Sequence, residues 1–430
     1  MTRLSPAERA RLNPRATKAK PQFKAARASR GANKSTKALS QAGLARFQVI
    51  FDQIFKAQSF HFYRLLGVTL FLVGFGIVMV LSASSIDSLV ANDNSLTIFF
   101  KQAGAAILGL ILMSIASLVP MSTYKKYARF GFALFMFLQV LVLFIGREVN
   151  GNKNWLYIGP FGIQPSEFLK IAVVIILAWY IYEWQSQLDF AITWYKALGF
   201  AGAAMALVIF GKDLGTVIIM LITYLGLLAL AGMPSRILVI VCAAIVAAMP
   251  ILLSQGGSRM GRILAWMNPS APDPLDYNWQ AEHGMWALAA GRIFGSGLGE
   301  SKMKWSWIPE VENDFIFAII GEELGLIGAL GVIALFVFLA FSLLRIMQRT
   351  TDEFSRLIVV GVMFWLVFQA LVNIAVVLRL LPVLGVPLPL ISAGGSSLLA
   401  SLIAIGVVLG IERENNSKPV AARRTPRSFR

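Results

Sequence analysis

In this chain of 430 residues, 57% of side chains are hydrophobic and 14% charged, with a net charge of +17, a balance too apolar for an ordinary soluble enzyme. The apolar residues fall in runs of about 16 to 22, long enough to cross a hydrocarbon core of ~30 Å as helices. The composition excludes a cytosolic globular protein and predicts an all-α polytopic membrane protein.

In chain order, residues 1–64 come first, with fourteen Lys and Arg against Glu8 and Asp52, a net of +12. Residues 1–45 are rich in Ala, Lys, Arg, Ser and Pro and hold too few large apolar side chains to offset ordering entropy, so they are expected to be disordered. Phe47, Ile50, Phe51, Ile54 and Phe55 then fall at helical spacing. That predicts a helix lying on the inner leaflet or packed on the protein. A basic tail beside membrane spans marks the cytoplasmic side, so anionic lipid is its expected partner and nucleic acid is not. The first apolar run starts some sixty residues in, too late for a cleaved signal, and reads as an uncleaved anchor.

Ten spans are predicted near 65–82, 103–119, 130–146, 168–184, 194–210, 215–231, 236–254, 316–344, 357–378 and 396–411. They form one membrane domain over 65–411, followed by a second basic tail over 412–430. Lys125, Lys126, Arg129, Arg236, Arg345, Arg349 and Arg356 fall in the short loops on one side, which places both termini in the cytoplasm. Cys242 has no possible internal disulfide partner and is expected to pack in its apolar run. Two loops on the outer side are long, from Arg147 to Glu167 and, between spans seven and eight, from Leu253 to Phe315. Ordered loops of that length are usually functional, so any chemistry is expected outside.

Ionisable groups near the membrane need a reason. Glu167 and Lys170 are three apart and can meet on one helical face just after Pro165, either as a structural ion pair or to aim a lysine at an anionic ligand. Lys212 and Asp213 mark a tight outer turn, a weak signal by itself. Arg259, Arg262 and Arg292 have no topological purpose in an outer loop; a phosphate-bearing ligand or lipid headgroups would explain them. The segment Gly295-Ser296-Gly297-Leu298-Gly299 supplies flexible or close-approach backbone ahead of the aromatic run from Trp305. Asp314 ends that loop where an apolar helix begins. It is either a first-turn carboxylate for the helix dipole or an outward-facing base modulated by Glu310 and Glu312. Glu322 and Glu323 follow, with one expected to face the interior and the other a polar neighbour. His61 and His283 are too isolated for a zinc-type site, and no P-loop, Ser-His-Asp arrangement or dinucleotide fingerprint is present, so no organic cofactor is expected.

Together these segments resemble the SEDS (shape, elongation, division and sporulation) proteins of bacterial cell-wall synthesis. The matching stretches are Asn154-Trp155, Gln164-Pro165-Ser166-Glu167, Asp213-Leu214-Gly215-Thr216, Gly295 to Gly299 and Pro309-Glu310. They continue with Asp314-Phe315-Ile316-Phe317-Ala318-Ile319-Ile320-Gly321-Glu322-Glu323-Leu324-Gly325, then Leu388-Pro389-Leu390-Ile391-Ser392 and Gly394-Gly395-Ser396-Ser397. The match lies closest to the division branch, with the elongation branch its near neighbour. The resemblance implies a ten-span peptidoglycan glycosyltransferase that polymerises lipid II at the outer leaflet, most naturally at the division septum. It implies Asp314 as the base, Trp155 as a functional outer-loop tryptophan, and a Glu167–Lys170 salt bridge beside the substrate cavity. Lys153, Asp213, Arg259, Arg262, Glu310, Ser392 and Ser396 are the further substrate-binding candidates on the matched or adjoining segments. A class B penicillin-binding protein, which is a transpeptidase, and other divisome proteins are the implied partners.

The sequence also departs from the family pattern. Glu312-Asn313 replaces a frequent His-Thr before the Asp, Asn154 replaces an Arg, and Ala393 replaces a Tyr. The extra charge of Glu312 should raise the pKa of Asp314 or help hold a divalent cation, magnesium or manganese. A lipid II flippase and a non-catalytic scaffold for a transpeptidase remain the alternatives.

Overall fold

The computed structural model describes residues 58–149, 151–159, 161–184, 190–254, 257–269, 276–305 and 307–417. The predicted helix over 47–62 lies mostly outside them. Seven helices run in sequence: α1 (Phe60–Asn92), α2 (Thr97–Leu118), α3 (Met121–Ile145), α4 (Pro165–Trp184), α5 (Phe190–Phe210), α6 (Leu214–Leu230) and α7 (Ser235–Ser254). Two shorter helices, α8 (Gly257–Met267) and α9 (Trp279–Gly291), occupy the long outer loop. The chain closes with α10 (Ile316–Arg349), α11 (Glu353–Val377) and α12 (Gly395–Ser417). Eight of these are long and apolar enough to cross a membrane, and the shorter apolar α6 and α7 hold the two remaining predicted positions. The protein is an all-α polytopic membrane protein at the level of its spans.

Helices α4, α11 and α12 are mostly buried and form the centre of the bundle, whereas α2, α3 and α5 turn large apolar side chains such as Phe100, Ile107, Phe137 and Tyr195 outward. An outward apolar belt of this kind is a lipid-facing surface. Cys242, expected to pack, is instead exposed on α7.

Several helices outrun their predicted spans because hydropathy marks the hydrocarbon, whereas capping groups and breakers decide where a helix stops. Ser59 caps α1, its Oγ accepting from Phe62 N at 3.1 Å, so the helix begins five residues before the predicted start. Lys125, Lys126 and Arg129 lie on α3 rather than in a loop, and Lys125 reaches Asp352, the cap of α11, at 3.1 Å. Helix α12 carries on to Ser417, so Glu412 is a fully buried core residue and not part of the tail.

The first outer loop holds the antiparallel strands β1 (Arg147–Val149), β2 (Asn152–Ile158) and β3 (Phe161–Ile163), in that order. Strands β1 and β2 pair Val149 with Asn152, and β2 and β3 pair Ile158 with Phe161; the sequence between the first pair is Asn150-Gly151. An Asn-Gly pair is the strongest short-range hairpin signal a sequence can carry, and the helical reading passed over it.

Helix α10 breaks at Gly325, where φ is 70° and ψ −167°. The segment after α9 enters the break: Leu326 N donates to Arg292 O at 2.8 Å, and Gly297 N donates to Glu323 O at 3.0 Å. A Cβ on Gly291 would stand 1.9 Å from Gly321 O, one on Gly295 2.1 Å from Glu323 O, and one on Gly325 2.4 Å from Gly295 N. The glycines therefore serve close backbone approach rather than flexibility.

Candidate active site

Asp314 lies between the outer loop and α10. It does not cap that helix: the cap residue is Phe315, which makes no side-chain cap bond, and no acidic residue occupies the first turn. A tight turn holds it, with Asn313 N and Asp314 N both donating to Glu310 O, at 3.0 and 3.1 Å. Its backbone is anchored as well, because Asn373 Nδ2 on α11 donates to Asp314 O and to Val386 O, each at 2.8 Å. The residue as a whole is only partly buried, and among the described residues its carboxylate accepts no hydrogen bond. Gly385, at φ 68°, brings bare backbone beside it; a Cβ there would stand 3.6 Å from Asp314 Oδ2.

Burial pushes the Asp314 carboxyl up to about 7; Glu310 adds to the shift, Arg262 on α8 opposes it, and Asp213 and Glu312 add smaller contributions. Glu312, 8% exposed, is also pushed up to about 7, mainly by burial, with Asp87 and Glu310 adding. Ala393 N donates to Glu312 O at 2.9 Å, tying this turn to the loop before α12. The cation expected at Glu312 finds few ready ligands: among the described residues no three His, Cys, Asp or Glu side chains converge at metal-binding spacing. Any cation there would have to bring most of its ligands with it.

Asp213 is a different kind of carboxylate. It caps α6 through Thr216 N at 3.0 Å and also accepts from Thr216 Oγ1 at 2.9 Å, Asn154 Nδ2 at 2.9 Å and Gln164 Nε2 at 3.1 Å. This saturated group joins β2, the start of α4 and α6 behind Asp314. A Cβ on Gly215 would meet Leu384 O at 2.3 Å, so α6 packs directly on the loop that carries Gly385.

Glu167 and Lys170 do meet, at 2.9 Å, but Lys170 is 1% exposed and offers no open face to a ligand in this arrangement. Lys170 Nζ also donates to Gln369 Oε1 at 3.1 Å and sits 4.7 Å from the Trp365 ring centroid. Trp365 Nε1 shares the same acceptor at 2.8 Å, and Gln369 Nε2 donates to Pro387 O at 2.9 Å. The pair is thereby tied through Gln369 to the loop over 384–388, which carries Gly385 beside Asp314. Gln369 and Asn373, one helical turn apart on α11, both hold that loop, and sequence reading missed them. Two polar amides four apart in an apolar span were the available signal.

The remaining candidates divide. Ser392 Oγ accepts from Leu388 N at 2.8 Å and Ser396 Oγ from Gln164 N at 3.1 Å; both are buried and hold loops. Lys153 Nζ donates to Leu143 O at 2.7 Å and Phe144 O at 3.2 Å, capping the end of α3. Trp155 is half-buried on β2 against Gly162, whose Cβ would stand 3.1 Å from Trp155 Cε3. Arg262 lies within electrostatic reach of Asp314, Arg292 is exposed, and Arg259 is placed only as part of α8. His283 lies stacked on Trp279, with ring centroids 3.9 Å apart, and far from any metal set.

Glu322 and Glu323, expected to face different surroundings, are both buried and both hold the glycine-rich loop. Glu322 accepts from Ser301 Oγ at 2.5 Å and Lys302 N at 2.9 Å; Glu323 accepts from Ser82 Oγ at 2.6 Å and pairs with Lys304 Nζ at 3.8 Å.

Comparison with known proteins matches residues 63–417 to a family described as cell cycle proteins, FtsW/RodA/SpoVE. The chain belongs to this family. The FtsW/RodA/SpoVE assignment agrees with individual relatives. A protein of Mycobacterium tuberculosis named probable peptidoglycan glycosyltransferase FtsW is 38% identical over 90% of this chain and 74% of its own length. Stage V sporulation protein E of Bacillus subtilis is 35% identical over 80% of this chain and 95% of its own. Among solved structures, a chain from a peptidoglycan synthase complex that coordinates polymerization and crosslinking covers 85% of this one and all of itself, with 25% identity and a TM-score of 0.69. Rod shape determining protein RodA of Thermus thermophilus shares the fold, with a TM-score of 0.63 at 24% identity over 85% of this chain and 99% of its own.

Proposed function

We propose that the chain is a peptidoglycan glycosyltransferase that polymerises lipid II at the outer face of the bacterial plasma membrane, in division-linked wall synthesis. The observation that carries this reading is the unsatisfied carboxylate of Asp314, on a residue that is only partly buried; Glu312 beside it also leaves Oε2 without a partner but is buried. Asp314 is rigidly held by its backbone, free of hydrogen bonds to its carboxylate, partly open, and poised near neutrality. A general base works best with a pKa near the working pH. In the proposed step, the 4-hydroxyl of an acceptor N-acetylglucosamine attacks the anomeric carbon of the donor chain. Its proton passes to Asp314, the bond from that carbon to the pyrophosphate oxygen breaks, and undecaprenyl pyrophosphate leaves. Arg262, the cation nearest in effect to Asp314, is the candidate partner for the departing negative charge. The family membership and the names of its relatives support the activity, and the peptidoglycan synthase complex among its structural neighbours supports a class B transpeptidase partner.

The test is glycan-strand formation from labelled lipid II by the purified chain, alone and with a co-purified class B transpeptidase, beside Asp314→Ala. Polymer from the unaltered chain only is the expected result. Polymer from both would remove Asp314 from the role of base. Polymer from neither, even with the partner, would overturn the activity and make lipid II translocation the next assay.

A further inference from the structure

At the end of the bundle opposite Asp314, the start of α1, the end of α10 and the end of α12 come together. Ser59 Oγ donates to the fully buried Glu412 at 2.6 Å, and Arg349 Nε lies 3.7 Å from the same oxygen. Arg64 and Arg345 flank one ring, their guanidinium carbons 4.9 and 4.8 Å from the Phe341 centroid. His61 lies within electrostatic reach of Arg349, Glu412, Arg64 and Arg345. Among the described residues, Arg349 pairs with Glu412 and Arg64 lies within its electrostatic reach, while Arg345 forms no ion pair with a carboxylate. Arg64 Nε and Nη2 are buried and have no hydrogen-bond partner, although burying such donors unmade is costly. Two like charges drawn onto one aromatic ring, with buried donors left open, describe a site that lacks its anion. Beside it, Phe60, Phe338 and Phe341 are exposed on α1 and α10 along the lipid-facing surface.

We propose that Arg64, Arg345 and Arg349 bind the phosphate headgroup of an anionic phospholipid, whose acyl chains lie along Phe60, Phe338 and Phe341. The exposed phenylalanines favour a lipid over a free phosphate, since a soluble anion has no use for them. Mere snorkelling of arginines toward water would leave their nitrogens solvated, whereas Nε and Nη2 of Arg64 are not. Every residue assigned to the site lies within the helical bundle. The site does not depend on Asp314 or on the proposed activity.

The full chain, purified in detergent, would be titrated with phosphatidylglycerol and with phosphatidylcholine and followed by native mass spectrometry. One phosphatidylglycerol is expected to bind at least tenfold more tightly than phosphatidylcholine. Each arginine lost should weaken it about fivefold, so Arg345→Gln falls partway and Arg64→Gln with Arg345→Gln falls to the phosphatidylcholine level. Arg64→Lys, which keeps the charge but loses the open Nε and Nη2 donors, should weaken binding by more than about twofold but less than the roughly fivefold of a charge-removing change. Arg345 is exposed, so Arg345→Gln still decides the matter if the double variant does not fold. Unchanged selectivity in Arg345→Gln would overturn the site. Complete displacement of the lipid by a few millimolar inorganic phosphate would overturn the lipid as its ligand.

Discussion

Two acidic groups lie eight residues apart and have opposite fates. Glu322 and Glu323 are buried and accept from Ser301, Lys302 and Ser82, and they fasten the glycine-rich loop to α10, Glu323 through Oε1 with its Oε2 left unpaired. Asp314 is anchored by its backbone alone, and its carboxylate is left among other carboxylates with Arg262 as the counterweight. Asp213 belongs with the first kind, since its two oxygens serve four donors. The lesson is that position beside a membrane does not mark a carboxylate as reactive. A carboxylate whose hydrogen bonds are all made inside the protein has none left for a substrate, whereas one held rigidly but unsatisfied does.

The contrast breaks most sharply at Asp314 itself. Asp314→Asn should lower glycan synthesis from lipid II by about 10²–10⁴-fold, the usual weight of a general base, with membrane abundance unchanged. Retained turnover would make Asp314 another structural carboxylate. Lys170→Ala should act oppositely, through the fold: it strands Glu167 in the bundle core at a cost of about 3–5 kcal/mol, lowering the melting temperature and loosening the loop over 384–388. A variant as stable as the parent would show that the pair does not hold that loop.

The pH dependence carries a sign in each case. As a base Asp314 works deprotonated, so the rate should rise with pH through about 7 and fall about tenfold per unit well below it. A carboxyl raised in the folded state favours the protonated fold. Its contribution to stability is therefore full below about 3.9 and is lost as pH climbs to about 7. Asp314→Asn, neutral at every pH, should consequently melt a few degrees above the unaltered chain at pH 8, roughly, and lose that advantage toward pH 4. The smallest effects concern the neighbours. Glu310→Gln removes a charge that raises the Asp314 pKa and should move the acid limb of the rate profile down, whereas Arg262→Gln should move it up, each by less than about one pH unit. Shifts of the wrong sign, read from the same rate profile, would detach these groups from Asp314.

Much of the architecture was legible in the chain. Long apolar runs could only be spans, and Asp314 stood out because a carboxylate at the mouth of a span is costly. The first-turn role for Asp314 and the flexible role for the glycines were equally readable beforehand, and only the structure chose between the alternatives. The strands over 147–163 were signalled by Asn150-Gly151 yet lost beneath the helical pattern. Gln369 and Asn373 looked like isolated amides in an apolar run, because their partners Lys170, Pro387 and Val386 are distant in sequence.

By itself the sequence determined the helical membrane class, the number and order of apolar segments, the family and the carboxylate most worth testing. These follow from local quantities: hydropathy over a window, charge in a loop and residue types at fixed spacing. Only the tertiary structure decided how each carboxylate is partnered, why Gly291, Gly295 and Gly325 must be glycine, and that Lys170 is buried and linked through Gln369 to a loop beside Asp314. It also joined Arg64 to Arg345 across some 280 residues of chain. Hydrogen-bond satisfaction and charge neighbourhood are sums over everything packed around a group, and no window along the chain contains those terms.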